Sequence, residues 1–403
     1  MRIHQEVDRP HPFPAKDLQV GNGSAPASLA KHWTVLDGVR GLAILLVMSY
    51  HFTMGMSGQS LYSRLLFKLT TVGWCGVNLF FVLSGFLITG ILYDTRSASH
   101  RFRNFYMRRA LRIFPLYYGT LLVLFGLLPW MNRWTDGFKG IEHAWPWLWT
   151  YSTNLLILLQ GKWFPLSHFW SLAVEEHFYL VWPLVVFTLD RKSSVRVCLA
   201  LIAIAFVVRI GLVRQGLVLS AYTLTLSRMD GLALGALLAL VIRGERGLDA
   251  IVPLARKGAT LSGTALILLA LWRVGLRFHD SMVQTLGYLL LDLFFASLIV
   301  LLVATTQVTP LTRFFNLGFL RSLGRYSYGI YVYNSIFILV SDGLSLPARV
   351  AAWTDSVAIE RVVYVALATG STLSMAWLSW HLLEKHFLKL KVYFESRPIV
   401  SVK

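Results

Sequence analysis

Arg40 and His51 lie in one apolar run, "LDGVRGLAILLVMSYHF", Leu36 to Phe52. Both residue types are costly inside a bilayer, so their presence needs a reason. At about 100° per residue, their spacing closes to within about 20° of three full helical turns. The two side chains therefore share one helix face, about 16 Å apart along the axis. The plainer reading of Arg40 is an anchor snorkelling to the interface, and that of His51 a polar bridge between helices. Other ionisable groups near the depth of His51 favour chemistry instead. "HFWSLAVEEHFYLVWPL" sets Glu175 and Glu176 about 9 Å below the outer surface, with His51 itself about 6 Å below it. "LSRMDGLALGALLAL" sets Arg228 and Asp230 about 9–12 Å deep. Charges there face the bundle interior or a wet cavity and tend to pair. A neutral histidine in such a chamber can take a proton from a hydroxyl, and a neighbouring carboxylate would orient its ring. The competing reading is structural: Arg228 or Arg209 simply neutralises Glu175 or Asp230.

A second constellation is "RFRNFYMRRALRIFPLYY", residues 101–118. Arg108, Arg109 and Arg112 have i,i+3 and i,i+4 spacings and would gather on one side of a helix start. Membrane topology needs two or three basic residues in such a loop, not the six between Arg96 and Arg112. Forked guanidiniums suit phosphate, so a phosphorylated cytoplasmic ligand is expected, with anionic lipid as the plainer alternative.

The elements that must position these residues are membrane helices. Of the 403 residues 56% are hydrophobic and 14% charged, with mean hydropathy +0.58. The low charge and the recurrent apolar runs of about twenty residues exclude an ordinary soluble domain. The net charge of +18 would suggest nucleic acid in a soluble protein, but here the basic residues sit mostly in short loops. No nucleic-acid partner is expected. Cys75 and Cys198 make no metal spacing and no disulfide framework, so no metal is expected either. Threading by the positive-inside rule gives ten spans: 36–55, 73–93, 110–129, 169–189, 197–213, 222–242, 258–276, 284–304, 326–342 and 360–383. Both termini are then cytoplasmic. Residues 145–159 are placed at the outer interface, because a span there would put "DRKSSVR" outside; Trp145, Trp147 and Trp149 suit the headgroup region. The expected domains are a flexible cytoplasmic tail over 1–33, one transmembrane domain over 34–385 and a cytoplasmic tail over 386–403. The fold class is all-α, a polytopic helical bundle.

At these residues the sequence resembles the acyltransferase-3 family of integral membrane acyltransferases, over about residues 33–385. The Arg-x10-His run of the first span, "GVNLFFVLSGFLIT", "YMRRALRIFPLYY", "FWSLAVEEHFYLVWPL", "RMDGLALGALLA" and "SYGIYVYN" occur in family order. The resemblance implies transfer of an acyl group, with acetyl expected, from cytoplasmic acyl-CoA to a hydroxyl. The acceptor would be a glycan, a lipid-linked glycan or a small hydroxylated molecule, and the location the cytoplasmic (inner) membrane. It implies that His51 is essential and that Arg40, Arg108, Arg109 and Arg112 serve activity or donor binding. From the residues' own chemistry, His51 is the expected general base and Glu175 or Glu176 the group that orients it. Arg228, Asp230, Tyr328 and Asn334 are assigned to the substrate chamber. Asn334 stands where family members often carry histidine, which argues against proton transfer there. Many relatives carry an esterase-like domain beyond the last span. This sequence ends about twenty residues after its tenth, so it is expected to act alone or with a separate partner. The alternative reading is a transporter or flippase, against which no inverted repeat or paired broken helix is found.

Overall fold

The computed structural model describes residues 33–54, 68, 70–130, 141, 143–305, 307–353 and 356–395. Among these there is no strand. Among the described residues ten long helices form the bundle: α1 Thr34–Thr53, α2 Gly76–Asp94, α3 Arg101–Leu122, α4 Trp170–Thr188, α5 Arg191–Arg214, α6 Thr225–Ile242, α7 Val252–Trp272, α8 Tyr288–Ala304, α9 Gly318–Gly343 and α10 Val357–Ser379. Eight of the helical stretches are long and apolar enough to cross a membrane. The other two of the ten are α4 and α9. They are also long enough, at 19 and 26 residues, but carry Glu175, Glu176 and His177, and Arg321 and Arg325, which lower their mean hydropathy. The expected N-terminal tail lies outside the described residues but for Trp33, as do residues 396–403.

The third helix begins at Arg101, nine residues before the expected span, so the arginine cluster is part of the helix rather than of a loop. Residues 145–160 form two short helices, Trp145–Trp149 and Thr153–Gln160, separated by Tyr151 in the left-handed region (φ 53°). Neither is long enough to cross a bilayer. After α10 the chain does not leave the bundle at 385. It continues through Lys385–Lys389 and the turn Leu390–Phe394, packed on α3, where the Asn104 amide donates to the Glu395 carbonyl (3.3 Å).

Two glycine-mediated contacts set the helix spacing. A Cβ at Gly41 of α1 would lie 1.9 Å from the Leu320 carbonyl oxygen of α9, and one at Gly324 of α9 would lie 1.8 Å from the Asp37 carbonyl oxygen of α1. A Cβ at Gly85 of α2 would lie 1.9 Å from the Leu232 carbonyl oxygen of α6. Only glycine allows backbones so close, the usual device where hydrophobic force does not drive helices together. Ile44, Val47 and Met48 of α1 and Leu323 and Ile330 of α9 fill the seam beside the glycines.

Gly41→Ala or Gly324→Ala should destabilise the protein by about 3 kcal/mol or more, the upper range for overpacking, because the clashing atom is backbone and cannot rotate away. Gly370→Ala, with open space around it, should stay within about 1 kcal/mol. Thermal melting of detergent-solubilised protein by size-exclusion reads the difference; equal melting of all three would refute the tight α1–α9 seam.

Candidate active site

Two cavities lie back to back in the bundle. The first, about 110 Å³, is lined by Arg40, Arg109, Arg112, Ser84, Glu175 and Tyr328, among others. The second, about 450 Å³, is lined by His51 and His168 and by the aromatic walls of Trp74, Trp170, Tyr222 and Phe278. Val77, Ser171 and Tyr331 line both. Arg40 and His51 thus open into different cavities from one helix, as their shared face and axial separation require.

His51 takes its partner from α9. Its Nδ1 lies 2.5 Å from Asn334 Oδ1. The amide orientation of Asn334 is fixed independently, since its Nδ2 donates to the carbonyls of Ile330 (3.0 Å) and Tyr331 (2.7 Å). Oδ1 is an acceptor only, so His51 Nδ1 carries the proton and Nε2 holds the free lone pair. The expected carboxylate partner is not there. Glu175 Oε1 accepts from Ser84 Oγ (2.6 Å) and faces the arginine cavity. Glu176 Oε1 is buried with no hydrogen-bond partner and lines neither cavity. The physical reason is position along α4. His168, Trp170 and Ser171 are the residues of this stretch that reach the His51 cavity, whereas Glu175, about one turn beyond Ser171, lies at the arginine cavity, and Glu176 points about 100° away from it.

Arg228 and Asp230 are also placed differently from the expectation. They line neither cavity. Arg209 Nη1 pairs with Asp230 Oδ2 at 2.6 Å and donates to the Ser227 carbonyl. Arg228 Nη2 donates to Asn78 Oδ1 (2.9 Å), whose Nδ2 donates to Asp292 Oδ1 (2.7 Å). All five residues are essentially inaccessible. Two arginines against two aspartates make the cluster formally neutral, which is how such charges persist within a bilayer. The Arg228 guanidinium also lies 4.4 Å from the Tyr288 ring centroid and 5.6 Å from that of Tyr222. The cluster therefore braces, from behind, the Tyr222–Trp170 wall of the His51 cavity. The sequence named Arg209 as a neutralising partner but gave no sign of Asn78 or Asp292, which come from α2 and α8.

Among the arginines, Arg40, Arg109 and Arg112 converge on the first cavity, while Arg108 is exposed and outside its lining. Arg40 Nη1 is 3.5 Å from Asp37 Oδ1. The Arg109 guanidinium sits 5.3 Å from the Tyr179 ring centroid, which holds it in place. Lys391 of the C-terminal turn comes within electrostatic reach of all four arginines. Tyr328 lines this cavity, with its hydroxyl donated to the Ile113 carbonyl (2.8 Å), whereas Asn334 belongs to the His51 side. His168 and Tyr331 were quoted in the sequence motifs without a role. Leu166, in the left-handed region (φ 66°), turns the chain into the turn Ser167–Phe169 and brings His168 to the second cavity. Both ring nitrogens of His168 are buried without hydrogen-bond partners. Among the described residues, no group of three or more His, Cys, Asp or Glu side chains could hold a metal ion.

Residues 33–381 match the sequence profile described as an acyltransferase domain. The chain belongs to the acyltransferase-3 family. YrhL of Bacillus subtilis strain 168 is 28% identical over 370 residues, 87% of this chain and 54% of its own. The O-acetyltransferase OatA of Staphylococcus aureus NCTC 8325 is 26% identical over 338 residues, 79% of this chain and 52% of its own. The peptidoglycan O-acetyltransferase OatA of Listeria monocytogenes EGD-e is 30% identical over 322 residues, 75% and 49% respectively. The chain thus spans about half the length of these curated relatives. No solved structure matches it significantly.

Asp230→Ala leaves Arg209 buried and unpaired and should cost about 3–5 kcal/mol, the usual price of breaking a buried pair. Melting in detergent checks this. An unchanged melting temperature would remove the bracing role and return Asp230 to the substrate chamber.

Proposed function

We propose that the protein is an integral membrane O-acyltransferase. It moves an acetyl group from acetyl-CoA, held at the arginine cavity, to a glycan hydroxyl held at the His51 cavity. One observation carries this reading: a cationic cavity and an aromatic, histidine-bearing cavity adjoin at a common wall, with residues of one helix serving both. Forked guanidiniums of Arg40, Arg109 and Arg112 suit the phosphates of the donor, and Lys391 and Arg108 add charge at the entrance. The positive-inside rule puts this basic face on the cytoplasmic side, where acyl-CoA is found, and His51 towards the outside. The location is then the cytoplasmic membrane. The aromatic walls with few polar groups have the character of a ligand site. The relatives named peptidoglycan O-acetyltransferases favour a cell-wall glycan as acceptor.

In this mechanism His51 Nε2 takes the acceptor's hydroxyl proton as the oxygen attacks the thioester carbon. Asn334 keeps the ring in the Nδ1–H tautomer and so leaves Nε2 free for that proton. A carboxamide dipole stabilises the resulting imidazolium less than a carboxylate would, and Asn334 takes no proton itself. As the carbon–sulfur bond breaks, the imidazolium returns its proton to the CoA sulfur. Ser84 and Glu175 line the donor side and act on the donor rather than on His51. A transporter or flippase would have no comparable use for a histidine with an enforced tautomer.

His51→Ala should lower transfer of radiolabelled acetyl groups to cell-wall glycan by about 10²–10⁴-fold, the range for a general base. Arg112→Ala should instead raise the KM for acetyl-CoA about tenfold, the loss of one charge-assisted contact, with kcat little changed. Full activity in His51→Ala would refute the base. An unchanged KM in Arg112→Ala would remove that residue from the donor site.

A further inference from the structure

The wall between the two cavities is built from three helices: Val77 of α2, Ser171 of α4 and Tyr331 of α9. Tyr331 is its largest member and is held at its tip. Its hydroxyl donates to the main-chain carbonyl of His168 and lies 3.0 Å from Ser171 Oγ. Since a phenol has one proton to give, Ser171 is the donor in the second bond. The ring is flanked by His168 (5.4 Å between centroids) and Phe169 (6.3 Å). These contacts fix a side chain that would otherwise swing into either space.

Tyr331 is also tied to the catalytic pair. It lies three residues before Asn334, on the same face of α9, and its carbonyl accepts from Asn334 Nδ2 (2.7 Å). The partition and the residue that fixes the His51 tautomer are thus one turn apart on one rigid helix. A group passing from the arginine cavity to His51 crosses the wall of Val77, Ser171 and Tyr331, of which Tyr331 is the largest member.

We propose that Tyr331, tethered by Ser171 and His168, is the partition that sets which part of the donor reaches His51. It admits a small acyl end only far enough for an acceptor at His51 to reach it, keeps the bulk of the donor on the arginine side, and keeps the water of the outer cavity off the donor while no acceptor is bound. The proposal rests on the donor and acceptor assignments above for its chemical consequence, and on geometry alone for the partition itself. Without the ring, water takes the place of the acceptor. Its oxygen attacks the thioester carbon, the carbon–sulfur bond breaks, and acetate and CoA thiol leave, with no further reactant needed.

Two readouts separate partition from chemistry. Ser84→Cys places a thiol in the arginine cavity, and the native Cys75 and Cys198 are both buried. A small membrane-impermeant thiol reagent is applied to intact cells. It should label Ser84→Cys with Tyr331→Ala at least about tenfold faster than Ser84→Cys alone, as expected when a barrier to water is removed. Labelling of both from the other side, in inverted vesicles, shows that the thiol is reactive in each, and monodisperse elution of the detergent-solubilised proteins shows that they are folded. Tyr331→Leu replaces Tyr331→Ala if the latter is not monodisperse. Equal labelling rates from outside overturn the partition, whatever the donor. In the purified protein, Tyr331→Ala should release CoA thiol from acetyl-CoA without acceptor about tenfold faster than the unsubstituted chain. Faster labelling without any such release would leave the partition standing and remove acetyl-CoA as the donor.

Discussion

The backbone contact between α1 and α9 is the constraint on which the rest depends. Gly41 and Gly324 bring each helix within reach of the other's carbonyl oxygens, closer than any side chain allows. From that point of closest approach, about three turns toward the C-terminal end of α1 leads to His51 and about three turns toward that of α9 leads to Asn334. Two helices clamped at one point and filled by Ile44, Val47 and Ile330 above it present those two residues to each other at hydrogen-bond distance. The same clamp leaves Arg40, next to Gly41, turned toward α3, so the two costly residues of the first helix are placed by one seam.

Charge is handled in two opposite ways in this bundle. The cluster of Arg209, Asp230, Arg228, Asn78 and Asp292 is balanced, buried and bonded largely within itself. It behaves as part of the core, with aromatic rings over the guanidinium completing its surroundings. The arginines of the first cavity are different. Arg40, Arg109, Arg112 and Lys391 repel one another and have few acidic neighbours, Asp37 and Glu175 among them. A neutral, bonded cluster asks for nothing further, whereas a concentration of like charge around a space favours an anionic ligand. Both groups read alike along the sequence, as ionisable residues in or beside apolar runs.

Much of the fold was legible because its signals are local. Apolar run length, loop charge and the tryptophans near 145 placed every helix but not its ends: α3, α5, α7 and α9 begin six to nine residues before the expected spans, where polar or basic residues extend the helix beyond the apolar run. The arginine cavity was legible in part, since i,i+3 and i,i+4 spacing fixes which residues share a helix face. That spacing grouped Arg108 with Arg109 and Arg112, yet Arg108 points to solvent, because which part of a broad face meets a cavity depends on the neighbouring helices. The assignment of Glu175 to His51 failed because Glu175 lies about one turn beyond Ser171, on the arginine side of the wall. Counting residues along one helix gives spacing within it; which residues of two helices meet depends on their relative offset and rotation.

The sequence by itself determined the class, the helices, the shared face of Arg40 and His51, and the presence of a basic cluster at a helix start. These follow from helical periodicity and from the cost of polar groups in a bilayer, which act within one segment. Only the tertiary structure decided that Asn334 rather than a carboxylate holds His51, that Arg228 and Asp230 belong to a buried brace, and that Tyr331 stands between the two cavities. Each of those facts is a contact between helices distant in the chain. Such contacts are set by how closely backbones approach and how each helix is rotated about its axis, and neither quantity is written in the periodicity of a single segment.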